Sequence, residues 1–187
     1  MPYPTMPAEH QWQALLAAHE PLPGTRLQRG EDLLSILYTS GTTGQPKGVM
    51  LSAHAVAFSS ANATAEMNMT PQDQFFSYLP LSHAAERFLV EFNSLYCGAP
   101  VAFVESLETF ASDLRQVRPT VFFSVPRLWT RFQQGVLEKL PAQRLERLLR
   151  IPLLGRLVAH KVRAGLGLDR ARILVSGAAA ISTGLLE

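Results

Sequence analysis

Thr120-Val121-Phe122-Phe123-Ser124-Val125 is the most β-prone stretch of this 187-residue chain, with five of six residues β-branched or aromatic. It shows no polar/apolar alternation, so a strand here needs cover on both faces, which is the habit of parallel sheets. Its surroundings agree. Downstream, the spacing predicts helices over about 127–140 and 153–165, separated by Pro141 and Pro152, and a strand over 172–175. Upstream, Phe110 to Val117 reads as a helix stopped by Pro119, Val101 to Val104 as a strand, Ala84 to Tyr96 as a helix closed by Gly98, and Gln74 to Leu79 as a strand. Strands and helices that alternate in this way imply an α/β fold: a mostly parallel sheet flanked by helices.

The amino-terminal part is built differently. A short amphipathic helix is expected over about 8–19, from Trp12, Leu15, Leu16 and His19, and Pro21-Leu22-Pro23-Gly24 breaks it. Leu33 to Tyr38 reads as a buried strand and Gly48 to Leu51 as a second short strand. Ser52 is placed to cap an Ala-rich helix that ends before Thr70-Pro71.

Composition excludes several classes. Hydrophobic residues are 47% and charged residues 17%, which argues against disorder. No run of about 18 apolar residues occurs. Cys97 is the sole cysteine, so a disulfide scaffold and a cysteine zinc site are excluded. Its apolar neighbourhood reads as that of a small buried hydrophobe. The start, Met1-Pro2-Tyr3-Pro4-Thr5, lacks the basic-then-apolar pattern of a secretory signal, and a cytoplasmic protein is expected.

The net charge of +2 conceals an asymmetry. Residues 1–126 carry six Lys/Arg against eleven Asp/Glu, a balance of −5, and residues 127–187 carry eleven against four, a balance of +7. Solvated helix faces are the plain reading. The alternative is that the basic region 127–172 makes peripheral contact with a membrane or meets a phosphorylated ligand. Nucleic acid is not expected, because no helix-turn-helix, zinc-finger or RNP-like pattern accompanies the charge. Leu128, Trp129, Phe132, Val136 and Leu140 recur at helical spacing, with Arg131 and Lys139 on other faces. This reads as core packing, with a membrane-docking face as the alternative.

Chemistry concentrates in Tyr38-Thr39-Ser40-Gly41-Thr42-Thr43-Gly44-Gln45-Pro46-Lys47-Gly48. Four Ser/Thr hydroxyls, three glycines and one lysine lie between two short strands. Glycines let backbone N–H groups approach a ligand closely, hydroxyls add donors, and Lys47 adds a cation, so the loop can surround phosphate oxygens. A Walker A loop is excluded, since Pro46 stands where its second glycine belongs and Gly48 follows the lysine. No G-x-G-x-x-G follows a strand, and G-x-S-x-G and H-E-x-x-H are absent.

Tyr38 to Val49 resembles the AMP-binding signature of the adenylate-forming superfamily. Three further segments resemble long-chain acyl-CoA synthetases within it: Tyr78-Leu79-Pro80-Leu81-Ser82-His83-x-x-Glu86-Arg87, Arg118-Pro119-Thr120-Val121-Phe122-x-x-Val125-Pro126-Arg127-Leu128-Trp129, and Ser176-Gly177-Ala178-Ala179. The resemblance implies a long-chain fatty-acid–CoA ligase that uses ATP, Mg²⁺ and coenzyme A. The acid attacks the α-phosphate of ATP, and the acyl-adenylate then passes its acyl group to the CoA thiol. It further implies that Thr39, Ser40, Gly41, Thr42, Thr43, Gly44 and Lys47 hold the ATP phosphates, that Thr39 lies near Mg²⁺, and that His83, Ser176, Gly177, Ala178 and Ala179 border the acyl and adenylate moieties.

Two positions depart from the pattern: Ala53 stands where His usually follows the serine, with His54 displaced by one, and Ala180 stands where Pro is usual. The family's Tyr-Gly-x-Thr-Glu segment, its ribose-binding aspartate and the lysine of its small C-terminal domain have no counterpart here. The chain is therefore expected to be one partial AMP-binding domain: a lead-in helix and linker over 1–30, an α/β core over 31–187 with the phosphate loop at 38–48, and no C-terminal domain. Alone, it is expected to be inactive. A non-catalytic nucleotide- or acyl-binding module, or a superfamily ligase for a different carboxylic acid, are the alternatives. His83 has a capping role as its plain reading, and Glu86 and Arg87 an ordinary surface role.

Overall fold

In the computed structural model, which describes residues 12–24, 27–39 and 45–186, the chain begins with helix α1 (Trp12–Ala17) and strands β1 (Leu33–Thr39) and β2 (Lys47–Ser52). Helix α2 (Ala53–Glu66), β3 (Phe75–Ser77), a π-helical segment (Glu86–Phe92), α3 (Asn93–Cys97), β4 (Val101–Phe103) and α4 (Phe110–Val117) follow. The chain continues through β5 (Val121–Ser124), α5 (Pro126–Lys139), α6 (Ala142–Leu149), α7 (Leu154–Leu166), β6 (Ile173–Ser176) and α8 (Thr183–Leu186). Residues 8–11 of the expected first helix lie outside the described residues.

Four strands form a wholly parallel sheet in the order β4-β3-β5-β6. Every residue of β3 and β5 is buried, which is the two-sided cover expected from the composition of 120–125. Successive strand residues point to opposite faces and feed two cores. Phe75 and Val121 join Met69, Val90 and Ala99 on the side of α2 and α3. Phe76 and Phe122 join Leu114 and Leu168 on the other side, where Phe110, Leu128, Trp129 and Phe132 pack against them. Three residues of the α5 stripe therefore belong to the core, as the plain reading expects. Cys97 is half-buried against the first core.

Local signals set most element ends. The Ser52 hydroxyl accepts from the Ala55 N–H at 3.2 Å and caps α2. Gly98 ends α3 and Gly167 ends α7 in left-handed geometry, and Arg118 takes the same geometry before Pro119. Helix α6 is an addition: the sequence reading places no element between Pro141 and Pro152, yet Pro141 sits at the N-cap of α6, where a missing N–H costs nothing. The short α8 is likewise unanticipated.

A correction concerns β1. It pairs only with β2, in an antiparallel two-stranded ribbon separate from the main sheet, and Leu37 is its one buried residue. Strands joined by so short a loop must run antiparallel, so this pair cannot enter a parallel sheet as neighbours. The ribbon rests on α2 and is tied there by Ala53 N–H to Asp32 O (2.9 Å) and His54 N–H to Gly30 O (2.8 Å). Among the described residues, no helix is long and apolar enough to cross a membrane.

Candidate functional site

Strand order marks where a ligand would be expected. From β3 the chain turns to β4 on one side, whereas β5 and β6 lie on the other. The β3/β5 boundary is thus the point where connections diverge, and ligands of open α/β sheets bind beyond the carboxyl ends of the strands at such a point. The two strands separate there. They share one paired position, Phe75 with Val121, against three for β3/β4 and four for β5/β6.

At their amino-terminal ends the strands are stitched. Buried Asp73 accepts from Thr120 Oγ1 (2.6 Å), from Thr70 N–H (2.8 Å) and from Arg172 Nε (2.8 Å), with a second Arg172 contact. Gln74 N–H reaches Thr120 Oγ1 at 2.9 Å. Burial alone would raise the Asp73 pKa, but the Arg172, Thr120 and Thr70 hydrogen bonds outweigh it and hold it at about 2.

At the carboxyl ends the chemistry is sparser. The Tyr78 hydroxyl shares its proton between Ser124 Oγ (3.2 Å) and the Phe123 carbonyl (3.3 Å), so it bridges the parting strands. Burial raises the Tyr78 pKa, with the Glu86 charge adding to it against the Ser124 hydrogen bond. Glu86 is 1% exposed, not a surface residue. Its Oε2 accepts from Leu79 N–H at 3.2 Å, and its Oε1 has no hydrogen-bond partner. Burial pushes its pKa up, against the pull of Ser77 and the Leu79 amide. Glu86 opens the π-helical segment, a form of winding common near functional sites. Arg87 forms an ion pair with Glu91, with Nη1 2.7 Å from Oε1 and 2.6 Å from Oε2.

His83 stands on the exposed loop between Tyr78 and that segment. Its Nδ1 accepts from Ala85 N–H at 3.1 Å, and its carbonyl accepts from Arg87 N–H at 3.2 Å. This is the capping role, and in the neutral ring it leaves the proton on Nε2. Ser176 ends β6, and Gly177, Ala178 and Ala179 follow it at the carboxyl end of the sheet. Gly177 N–H reaches Ser124 O at 3.3 Å, and a Cβ on Gly177 would lie 3.2 Å from the Phe123 ring. Ala178 has φ +66°, a left-handed geometry that costs an L-residue about 1–2 kcal/mol. Beneath Ser176 an apolar cavity of about 640 Å³ lies between α5, α6, α7 and β6, with Trp129, Phe132, Val136, Leu145 and Leu174 in its wall. Trp129 Nε1 is buried without a partner.

Of the phosphate loop, Ser40, Gly41, Thr42, Thr43 and Gly44 lie outside the described residues. Thr39 and Lys47 are cross-strand partners at the loop end of the ribbon, and Thr39 Oγ1 lies 3.5 Å from Lys47 O. Both are exposed. Among the described residues, no hydrogen bond or ion pair joins them to His83 or to residues 176–179. The sequence reading gives Tyr78 and Ser124 no role of their own and Glu86 a surface one. The available signal was register: Tyr78 shares a face with Phe76, and a buried phenol needs a partner.

A sequence profile of AMP-binding enzymes matches residues 4–187. The chain belongs to the AMP-binding enzyme family. Its relatives in this family include the long-chain-fatty-acid–CoA ligase ACSBG2 of Gallus gallus, 32% identical over 97% of this chain and 29% of that protein. Another is the peroxisomal long chain acyl-CoA synthetase 6 of Arabidopsis thaliana, 34% identical over 84% of this chain and 25% of that one. The chain thus spans less than a third of the length of either relative.

Solved AMP-binding enzymes share its fold. ATP-bound MatB from Rhodopseudomonas palustris superposes with a TM-score of 0.58 at 27% identity, covering 84% of this chain and 26% of that one. A malonyl-CoA ligase in a ternary product complex with methylmalonyl-CoA and AMP gives 0.58 at 30% identity, over 84% and 30%. The family and fold expected from residues 38–49 and from the strand–helix alternation are borne out.

Proposed function

We propose that this chain forms the ATP- and acyl-binding part of an AMP-forming long-chain fatty-acid–CoA ligase. The observation that carries the reading is the apolar cavity between α5, α6, α7 and β6 that reaches Ser176 and the strained turn after β6, in a chain whose relatives are long-chain acyl-CoA synthetases. The cavity is within the roughly 300–1,000 Å³ usual for small-molecule sites. Its apolar wall suits an acyl tail. The turn at Ser176–Ala179 offers backbone amides and one hydroxyl where the carboxylate and adenylate would meet.

The ribbon supplies the other half. Lys47, beside Thr39, would neutralise charge on the departing pyrophosphate, and the hydroxyls and amides of 39–44 would hold the phosphates. The residues present fit Mg²⁺ only as a companion of ATP. Among the described residues, no cluster of three His, Cys, Asp or Glu side chains could hold a metal, and an exposed Thr39 hydroxyl would contribute one oxygen beside those of phosphate. Bound there, Mg²⁺ would neutralise phosphate charge.

We propose further that these 187 residues do not turn over alone, since the groups that the resemblance assigns to Mg²⁺, ribose and the final lysine have no counterpart among them. In the longer protein that the resemblance implies, exchange of labelled pyrophosphate into ATP is expected to require a long-chain acid. Lys47→Ala should lower it by about 100-fold, the scale of one lost transition-state contact. Undiminished exchange in Lys47→Ala would refute the ribbon's role, and exchange supported equally by short or aromatic acids would refute the long-chain assignment. The 187-residue chain alone should be silent.

A further inference from the structure

The turn between α6 and α7 is built against local preference. Leu153 adopts φ +67°, ψ −54°, and Leu154 N–H donates to Pro152 O at 2.8 Å, closing a three-residue γ-turn of the rare, strained kind. Its ends are fastened. Gly155 N–H donates to Ile151 O at 2.7 Å, and a Cβ on buried Gly155 would lie 2.4 Å from the Leu149 carbonyl oxygen, so α7 starts hard against the end of α6. The turn carries its apolar side chains outward: Leu153 is 74% exposed and Leu157 66%, with Leu149, Ile151 and Leu154 also exposed. Scattered exposed leucines need no explanation, but a contiguous group on one strained turn does.

The charges around this knuckle are of one sign. Arg144, Arg147, Arg150, Arg156, Lys161 and Arg163 are all exposed, and Glu146 is the only acid over 142–166. None of the six forms a side-chain hydrogen bond or ion pair among the described residues, whereas Arg87, Arg118 and Arg172 are all paired. An apolar tip ringed by unpaired cations is complementary to one kind of surface, an apolar interior beneath anionic headgroups. A second copy of this chain would oppose cation to cation.

We infer that the α6–α7 knuckle docks this chain on anionic lipid bilayers, with Ile151, Leu153 and Leu157 entering the headgroup boundary and the arginines of α6 and α7 meeting the lipid charges. The inference stands on exposure and charge and does not require the ligase reading. It deepens that reading in one respect: Leu145 and Leu149 of α6 also line the cavity under Ser176, so docking would bring the cavity's α6 wall to the layer where long-chain acids reside.

Sedimentation of the 187-residue chain with vesicles of neutral phosphatidylcholine, and with vesicles containing anionic phosphatidylglycerol, tests this. Partitioning should be about tenfold or more stronger on the anionic vesicles and should fall with salt. Leu153→Glu, and separately the triple change Arg147→Gln, Arg150→Gln, Arg156→Gln, should each abolish that preference while leaving the circular-dichroism melt in place. In Leu153→Trp, which keeps an apolar tip, the emission should shift to the blue relative to wild type when anionic vesicles are added. Equal binding to both vesicle types, unchanged binding by Leu153→Glu, or an unshifted Leu153→Trp spectrum would overturn the inference. So would sedimentation velocity showing that Leu153→Glu dissolves a dimer, which would make the knuckle a contact between copies. Loss of pyrophosphate exchange bears on the ligase reading and leaves vesicle binding untouched.

Discussion

The two ends of the parallel sheet are made on opposite principles. At the amino-terminal end Asp73, Thr120, Gln74 and Arg172 satisfy one another and fix β3, β5 and β6 in register. At the carboxyl end β3 and β5 part, one tyrosine hydroxyl spans the gap, Glu86 Oε1 and Trp129 Nε1 lack partners, and Ala178 is held in a left-handed conformation. Stability is concentrated at the first end. Left-handed backbone occurs at both ends, at Arg118 before β5 and at Ala178 after β6, but the partnerless Glu86 Oε1 and Trp129 Nε1 lie at the second, where such groups commonly mark sites that a ligand completes.

Breaking the stitched end should have the largest effect. Arg172→Ala leaves the Asp73 carboxylate, 2% exposed, without its cation, and should cost about 3 kcal/mol in denaturant unfolding, the scale for an orphaned buried charge. A change below ~1 kcal/mol would show that Thr120 and Thr70 suffice.

Acid sharpens the same contrast. Asp73 has a folded pKa of about 2 against an ordinary 3.8, so its contribution is fully present above about pH 4 and fades as pH falls through 2. Urea titrations across that window should lose roughly 2 kcal/mol, and Arg172→Ala should lose much less. Glu86 runs the other way: its pKa is raised, so its contribution is full below the ordinary carboxylate range and lost as pH rises through the folded value.

How much of this was legible in the sequence follows from what each signal encodes. The β-prone, unalternating runs at 75–77 and 121–124 disclosed a buried parallel sheet, because two-sided cover is written in composition. The stops at Gly98 and Pro119 and the Ser52 cap were equally local. The exposure of β1 was not legible, since an apolar heptad such as Leu33 to Thr39 looks the same in a ribbon as in a core. Helix α6 was hidden by its flanking prolines. Within the candidate site, the phosphate-loop residues and the turn at 176–179 came from motif. The Tyr78–Ser124 bridge and the burial of Glu86 depend on which strands become neighbours, and partners 46 residues apart leave no mark on local pattern.

Smaller effects are expected at the open end. Tyr78→Phe removes the bridge across the gap and should cost about 1 kcal/mol, the usual worth of one hydrogen bond, read as a lower midpoint in thermal unfolding. No change there would mean that the aromatic packing of Tyr78 with Phe110 and Phe122 holds the strands by itself. The smallest effect has the opposite sign. Ala178→Gly should stabilise the chain by about 0.5–1 kcal/mol by relieving the left-handed backbone, and a loss of stability instead would show that the turn is not strained.

The π-wound segment from Glu86 to Phe92 has a consequence for length variation in this part of the chain. A wider coil accommodates an extra residue without lengthening the helix by a full turn, so deleting one residue between 88 and 92 would let the coil tighten to ordinary α pitch. Six residues at ordinary α winding turn through nearly the same angle as seven in the wider coil, so the turns on either side would keep their phase. Glu86 would stay beneath Leu79. The segment therefore works as a slack coil, in which the loss of one codon is absorbed before it reaches the His83 loop.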